Sequence, residues 1–425
     1  MRRLLAFLAL TALVIAGAVW LADRPGEVTI HWQGWRVETT VPVLLLALLA
    51  LLAILAGAGR LAGLILGAPG RFLAHRRDRR ARKGLRALSD GLAALAAGDG
   101  RRAARLGRTA DKLLADPSLT GLLRTQAAQL SGDGEQVKAG YQALLGRPET
   151  AFLGDKGLME LALAEGDRTT ALAHAAQAFA RRPEAEGLAA TLFDLQAAAG
   201  LWAEAEHTLT AAKRHRSLPA AAIGHRRALA LFARAEAARR ADELDAALDL
   251  ALNAHDADPG FVPAVVLAAG LWRRRGKERK AASLLLSAFR ADGHPALAAA
   301  WAAPGESEAP LDRVKRVQRL VEANPAAAAG HLALAEAALD ARLWGQARTH
   351  LDTALAAQPS RRGYTLLARL ENDERKDEAA AQAWAAKAAL LGPDPAWHCA
   401  TCTHAVAEYA LACPECGAIG TMAWR

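Results

Sequence analysis

Four residues in the chain have the type and spacing to do chemistry. Cys399, Cys402, Cys413 and Cys416 are the only cysteines among 425 residues, and all lie in the last 27. They form two C-x-x-C pairs separated by ten residues. Each pair can present two thiolates from one tight turn, and two such turns complete a tetrahedron. That is the donor set of a closed structural zinc site. Iron is compatible with the same ligands. Pro414 and Gly417 suit the second turn, and Trp397 and Trp424 flank a module too small to have much core of its own. His398 and His404 adjoin the ligands but a four-cysteine site does not need them. A disulfide pair is the competing reading, which a reducing compartment disfavours.

The rest of the chain must position this tail. Alanine and leucine dominate and aromatics make up 5%, a composition that favours helix. From Arg86 onward a period near 34 residues recurs, clearest over 328–359. There Leu334, Ala335 and Ala338 share one face of a first helix. Ala347, Leu351 and Ala354 share one face of a second, and Pro359 closes the unit 34 residues after Pro325. Small residues where two helices cross and a proline after the second are the tetratricopeptide pattern. The same frame places Ala171, Ala175, Ala178 and Pro183 in 152–185, and Ala247, Ala251, Ala254 and Pro259 in 228–261. The stretch 294–325 is degenerate, with a loop from Pro304 to Pro310. Eight or nine helix pairs are expected over 87–392.

Two apolar, uncharged runs precede the repeats, Leu4 to Ala22 and Val41 to Gly59. About 20 residues of helix cross a bilayer core. The first run is longer than the apolar core of a typical signal peptide. Between them, 23–40 holds a short outer loop in which alternating β-formers around Gln33-Gly34 predict a hairpin. Its Trp32 and Trp35 read as interfacial anchors. Residues 71–86 carry eight Lys/Arg against Asp78. A positive flank stays cytoplasmic, so both termini are expected inside, at a bacterial inner membrane. The net charge of +9 is not a nucleic-acid signal: residues 1–86 hold 13 Lys/Arg against four Asp/Glu, so 87–425 is neutral.

The expected organisation is all-α: a two-span membrane hairpin over 1–70 (spans about 4–22 and 41–59), a basic juxtamembrane helix over 71–86, a tetratricopeptide-like solenoid over 87–392, and a metal module over 395–425. No nucleotide-binding glycine pattern follows a strand, and no Ser/His/Asp set or His-Glu-x-x-His motif stands out, so no catalysis is expected. Twelve histidines are scattered along the chain, among them His31, His174, His207, His215, His225, His255, His331 and His350. Any could ligate haem iron, but a lone histidine on a repeat helix more commonly packs or faces solvent.

The two close spans, the loop V-T-I-H-W-Q-G-W-R-V-E-T, the basic exit R-R-D-R-R-A-R-K and the array that follows resemble the bacterial HemY family of haem-biosynthesis-associated membrane proteins. The likeness covers about 1–390 and is most specific in the first 90 residues. It implies a non-enzymatic role in late haem or porphyrin metabolism, with haem-pathway proteins as partners on a concave repeat face and direct haem binding left open. The chain lacks the glycine-rich FAD fingerprint of the unrelated flavoprotein that shares the name. The tail departs from the shortest members of the family. Its knuckle resembles the rubredoxin-type module of the LapB family, which implies regulation of lipopolysaccharide synthesis through protein partners as the alternative. LapB proteins have one span. The module itself is expected to cap the array or to add a docking surface.

Overall fold

The structure is a computed structural model, which describes residues 8, 11–17, 19, 20, 23, 26–114, 116–303, 305 and 308–425. The described parts of the first apolar run, 8, 11–17 and 19–20, are helical and exposed; the rest of Leu4–Ala22 lies outside the described residues. The chain divides into two compact units, one up to Asp133 and one over Gly134–Arg425.

The first unit opens with strands β1 (Glu27–Trp32) and β2 (Trp35–Thr40), paired antiparallel from Glu27↔Thr40 to Trp32↔Trp35. Gln33 and Gly34 both take positive φ, 49° and 87°. Such a two-residue turn matches the twist of the strands it joins, so the hairpin forms where the alternating pattern predicts it. Thr40 then enters α1 (Val41–Ala96), with a proline in the first turn, where a missing N–H costs nothing. This helix runs 56 residues, on the order of 84 Å at 1.5 Å per residue. It carries the apolar run, the basic run and the first repeat helix without a break. The three segments differ in side-chain chemistry, and the helix continues through Gly67-Ala68-Pro69-Gly70, a combination that ordinarily kinks or ends a helix. Its stretch Val41–Arg60 is long and apolar enough to cross a bilayer, by length and composition. Helices α2 (Gly100–Leu114) and α3 (Pro117–Leu130) follow. They close on α1 through Ala94, Ala103, Leu123 and Ala127. A Cβ on Gly91 would lie 2.7 Å from Leu123, so this close approach needs glycine.

The second unit holds α4 (Gly134–Leu145), seven helix pairs and the tail. The pairs are α5/α6 (Pro148–Glu165, Arg168–Arg181), α7/α8 (Leu188–Ala198, Trp202–His215), α9/α10 (Ala220–Arg240, Leu244–Ala257) and α11/α12 (Val262–Arg274, Glu278–Asp292). Then come α13/α14 (Pro295–Ala302, Pro310–Ala323), α15/α16 (Ala328–Asp340, Trp344–Ala357) and α17/α18 (Arg361–Arg375, Glu378–Leu390). The repeat alanines are fully buried: Ala171, Ala175, Ala178, Ala247, Ala251, Ala254, Ala347 and Ala354 are each 0% exposed. The second helices end where the sequence places proline. Arg182, Asp258, Asn324 and Gln358 all leave the α region, with φ between −141° and −152° and positive ψ, because the ring of the next residue clashes with an α conformation.

The first helices end differently. Left-handed residues sit at Gly98, Gly132, Gly166 and Gly200, then at Asp242 and Gly276, then at Arg342 and Lys376. The step is 34 residues within each group. A left-handed residue caps the last carbonyls of a helix and turns the chain into its partner. The one longer step, from Gly200 to Asp242, coincides with the 21-residue α9. Near 310, in the degenerate unit, no left-handed residue occurs among the described residues. There α13 spans only eight residues, and arginine does what a turn residue does elsewhere. The Arg316 guanidinium donates to the carbonyls of Trp301 and Ala303 and to the Glu308 carboxylate, holding the loop shut. Around this loop lies the largest core cluster, with Leu285, Phe289, Leu297, Trp301, Val317, Leu320 and Leu334.

Asp394, just past α18, accepts from the backbone N–H of Arg361 (2.9 Å) and Arg362 (2.8 Å). These are orphan donors of the first turn of α17. The carboxylate both caps that helix and fixes the path of the linker to the tail. Asp394→Ala is expected to cost about 1 kcal/mol, read as a lower chemical-denaturation midpoint, and to speed proteolysis of the linker.

His331 and His350 meet across α15 and α16, Nδ1 to Nδ1 at 3.0 Å. His331 donates from Nε2 to the Pro325 carbonyl (2.9 Å), which leaves its Nδ1 to accept from His350. Burial, and then the charge that His331 would carry, hold the His350 pKa below the ordinary histidine value. An unfolded histidine takes up its proton near pH ~6.5. Below that pH the unfolded chain binds more protons than the folded one, so stability falls as the pH drops. The melting temperature should therefore decline from pH 7 towards pH 5.5, and His350→Gln should flatten the decline.

Candidate metal centre

The tail folds as a three-stranded sheet of order β4-β3-β5, with β3 (Trp397–Cys399) between β4 (Ala405–Val406) and β5 (Met422–Trp424). Cys399 ends β3 and Cys402 lies in the turn that follows. Cys413 and Cys416 lie in an equivalent turn. In the first, Thr403 N–H donates to Cys399 O and Cys399 N–H to His404 O, both at 2.9 Å. In the second, Gly417 N–H donates to Cys413 O and Cys413 N–H to Ala418 O, again at 2.9 Å. The fifth position of each turn is left-handed, Thr403 with φ 62° and Gly417 with φ 68°. The doubled C-x-x-C is thus one backbone motif used twice, and Gly417 sits where the second copy needs it.

The two turns aim all four sulfurs at one point. The Sγ atoms lie within 4.8 Å of one another. Cys399 and Cys416 are 3.6 Å apart, Cys402 and Cys413 3.5 Å. A tetrahedron with metal–sulfur bonds of about 2.3 Å has edges near 3.8 Å, whereas a disulfide requires about 2.05 Å. All four cysteines are free, and the donors fit a single ion that prefers thiolate ligands. Cys399 and Cys413 are buried, Cys402 is half-buried and Cys416 is exposed. The Thr421 hydroxyl lies 3.2 Å from Cys399 Sγ. That hydrogen bond, reinforced by the turn's N–H groups, lowers the Cys399 thiol to about 5. Cys402, despite the N–H of His404, is pushed up to about 12 by burial and by its thiol neighbours. One thiolate among four sulfurs opposes the next, and a divalent cation at the centre would relieve that opposition.

Trp397, Met422 and the two buried cysteines form the module's small core. Trp397 and Trp424 meet edge to face with ring centres 5.3 Å apart. His398 is bonded at Nδ1 to the Thr403 carbonyl at 3.3 Å, and neither it nor His404 belongs to the sulfur cluster.

The module does not cap the array. In α18 only Ala388 is buried, and Leu390 remains 87% exposed. Instead the tail turns back onto the first helices of earlier pairs. Tyr409 meets Phe232 and Phe261 edge to face, with ring centres at 5.6 and 5.5 Å. Leu411 and Ile419 join the cluster of Phe193, Leu229, Phe232 and Phe261. Gly420 lies against Leu229, where a Cβ would come within 2.3 Å of its side chain. His294, at the start of α13, stacks on Trp397 at 5.5 Å. All these partners lie on α7 or α9 or cap the N-termini of α11 and α13, the first helices of four successive pairs. The sequence showed Trp397 and Trp424 as flanking residues. Tyr409 carries no such signal, because a lone tyrosine between two cysteine turns has no local signature.

Of the histidines considered as haem ligands, His174 is held by Asp155 (3.0 Å), His225 by Asp258 (2.8 Å) and His331 by His350.

An apolar helix long enough to cross a membrane, a tetratricopeptide-type array and a cluster of four cysteines define the class: a helical-repeat protein whose tail could hold a metal ion. Residues 26–132 match the family model described as the HemY protein N-terminus. The chain is also 29% identical to the probable magnetosome protein Mms48 of Magnetospirillum gryphiswaldense, over 99% of this chain and 93% of that one. Among solved structures, it is similar to a tetratricopeptide repeat protein from Parabacteroides merdae (15% identical, covering 59% of this chain and 93% of that one, TM-score 0.27). It is similar also to yeast Tom70 (13% identical, 72% and 84%, TM-score 0.31). At such scores the superpositions carry no argument, and the repeat assignment rests on the helix pairs themselves. The four-cysteine cluster is consistent with the LapB-type knuckle.

Proposed function

We propose that this chain is a non-enzymatic scaffold at the bacterial inner membrane that recruits proteins of late haem or porphyrin biosynthesis. The observation that carries the reading is the continuity of α1. One helix joins the exposed apolar stretch Val41–Arg60 to the repeat array, within the residues matched by the HemY N-terminus. Leu4–Ala22 is the second span, both termini are cytoplasmic, and 71–86 lies against anionic head groups. The array, 87–392, presents its first-helix face to partner proteins, and confinement near the membrane raises their effective concentration so that weak contacts suffice. Cys399, Cys402, Cys413 and Cys416 bind one zinc ion as a structural centre, which fixes the fold of 395–425. The thiolates act as ligands and not as nucleophiles.

The knuckle favours a second reading, a LapB-like regulator of lipopolysaccharide synthesis. Deletion of the gene separates the two. Accumulated porphyrin precursors with normal lipopolysaccharide support the haem-pathway role; altered lipopolysaccharide with normal porphyrins contradicts it and supports the other.

A further inference from the structure

An array face that recruits partners is expected to be open. Here its central part is occupied by the chain's own tail. Phe193, Leu229, Phe232 and Phe261 are each between 1% and 6% exposed, and the groups that cover them include Tyr409, Leu411 and Ile419. Those three residues lie within or beside the loop between the cysteine pairs, and their positions are set by the two turns that the sulfurs close. The module's own core is four residues, two of them cysteines. A fold of that size holds its shape through the metal, and without the metal it has little to keep Tyr409 in place. The seam is also incomplete: a cavity of about 330 Å³ remains between α7 and Ala418, Ile419 and Thr421. The tail therefore rests on the array as a docked part, packed against its aromatic cluster across a seam that is not fully filled.

We infer that the metal knuckle is a latch: metal binding holds Tyr409, Leu411 and Ile419 on the first-helix face of α7, α9 and α11, and metal loss uncovers that face. The surface exposed is aromatic and aliphatic. It suits a partner segment that presents an aromatic and an aliphatic side chain two residues apart, as Tyr409 and Leu411 are. The tail and such a segment would compete for one place. Metal occupancy would then decide whether the array is closed or available. This inference rests on the proposed metal site, and its test reports on the two separately.

The chain has three tyrosines, Tyr141, Tyr364 and Tyr409, so incorporation of fluorotyrosine gives three fluorine resonances. Tyr141 and Tyr364 belong to the array and serve as internal controls. The full-length protein in detergent is measured with zinc bound, after chelation and after zinc is returned, with a soluble paramagnetic quencher as the probe of exposure. Metal content is determined on each sample. The latch requires Tyr409 alone to become accessible on chelation and to be shielded again when zinc returns. Leu229→Arg should free Tyr409 while zinc stays at one ion per chain, since the substitution changes the array and leaves the thiolates alone. A Tyr409 that stays shielded in the metal-free protein, or stays shielded in the Leu229→Arg protein, overturns the latch. A chain that takes up no zinc under reducing conditions overturns the metal site beneath it.

Discussion

Cys413→Ser, prepared under reducing conditions, is expected to lose bound zinc and the ordered tail together. The sulfur it removes is buried and is one of four that converge on a single point. Structural zinc sites in small modules are worth on the order of 10 kcal/mol of folding free energy. A site reduced to three thiolates should therefore bind zinc weaker by several orders of magnitude. The core of Trp397 and Met422 cannot replace that contribution. Metal analysis after dialysis against a weak chelator should give about one zinc per chain for the unaltered protein and a small fraction of that for the variant. Circular dichroism should barely change, because the helices do not depend on the tail. A variant that keeps full zinc would mean that the cysteines are not the ligands.

The second large effect is expected in the degenerate unit. Trp301 is 1% exposed and donates from its indole to the Arg316 carbonyl at 3.0 Å, inside the cluster of Phe289, Leu320 and Leu334. Trp301→Ala removes a whole aromatic from a packed core and should cost about 3–5 kcal/mol. Thermal unfolding should shift by roughly 10 °C for a unit of this size. Trp35, which is 79% exposed on the hairpin, supplies the contrast: its replacement by alanine should leave unfolding within about 0.5 kcal/mol of the parent. Equal effects at the two positions would place the stability of the chain elsewhere than in the repeat core.

The site was legible because it is local. The spacing of Cys399, Cys402, Cys413 and Cys416 encodes two equal turns, and no distant residue is needed to bring the sulfurs together. The repeat alanines were legible for the same reason, and Pro183, Pro259, Pro325 and Pro359 marked the ends of second helices correctly. The left-handed turns were only half visible. Gly98, Gly132, Gly166 and Gly200 could have been read at their spacing of 34, but Asp242, Arg342 and Lys376 fill the same role without a glycine to announce it. The unbroken course of α1 was hidden by its chemistry, since an apolar, a basic and an amphipathic stretch look like three elements although the backbone never stops. The docking of the tail was not legible at all. Tyr409 meets Phe232 across 177 residues of sequence, and nothing near either residue reports on the other. The sequence left the module either to cap the array or to add a docking surface. The structure shows that the linker, tied by Asp394 to the start of α17, turns it back instead.

The proposed function requires a membrane-anchored array whose thiolates face a reducing compartment. Cysteine labelling in spheroplasts tests this directly, with a membrane-impermeant maleimide and a permeant zinc chelator. Intact spheroplasts should leave all four cysteines unlabelled, and lysed ones should show four labels per chain, all in the membrane fraction. Labelling in the intact cells, or recovery of the labelled chain in the soluble fraction after lysis, would contradict it.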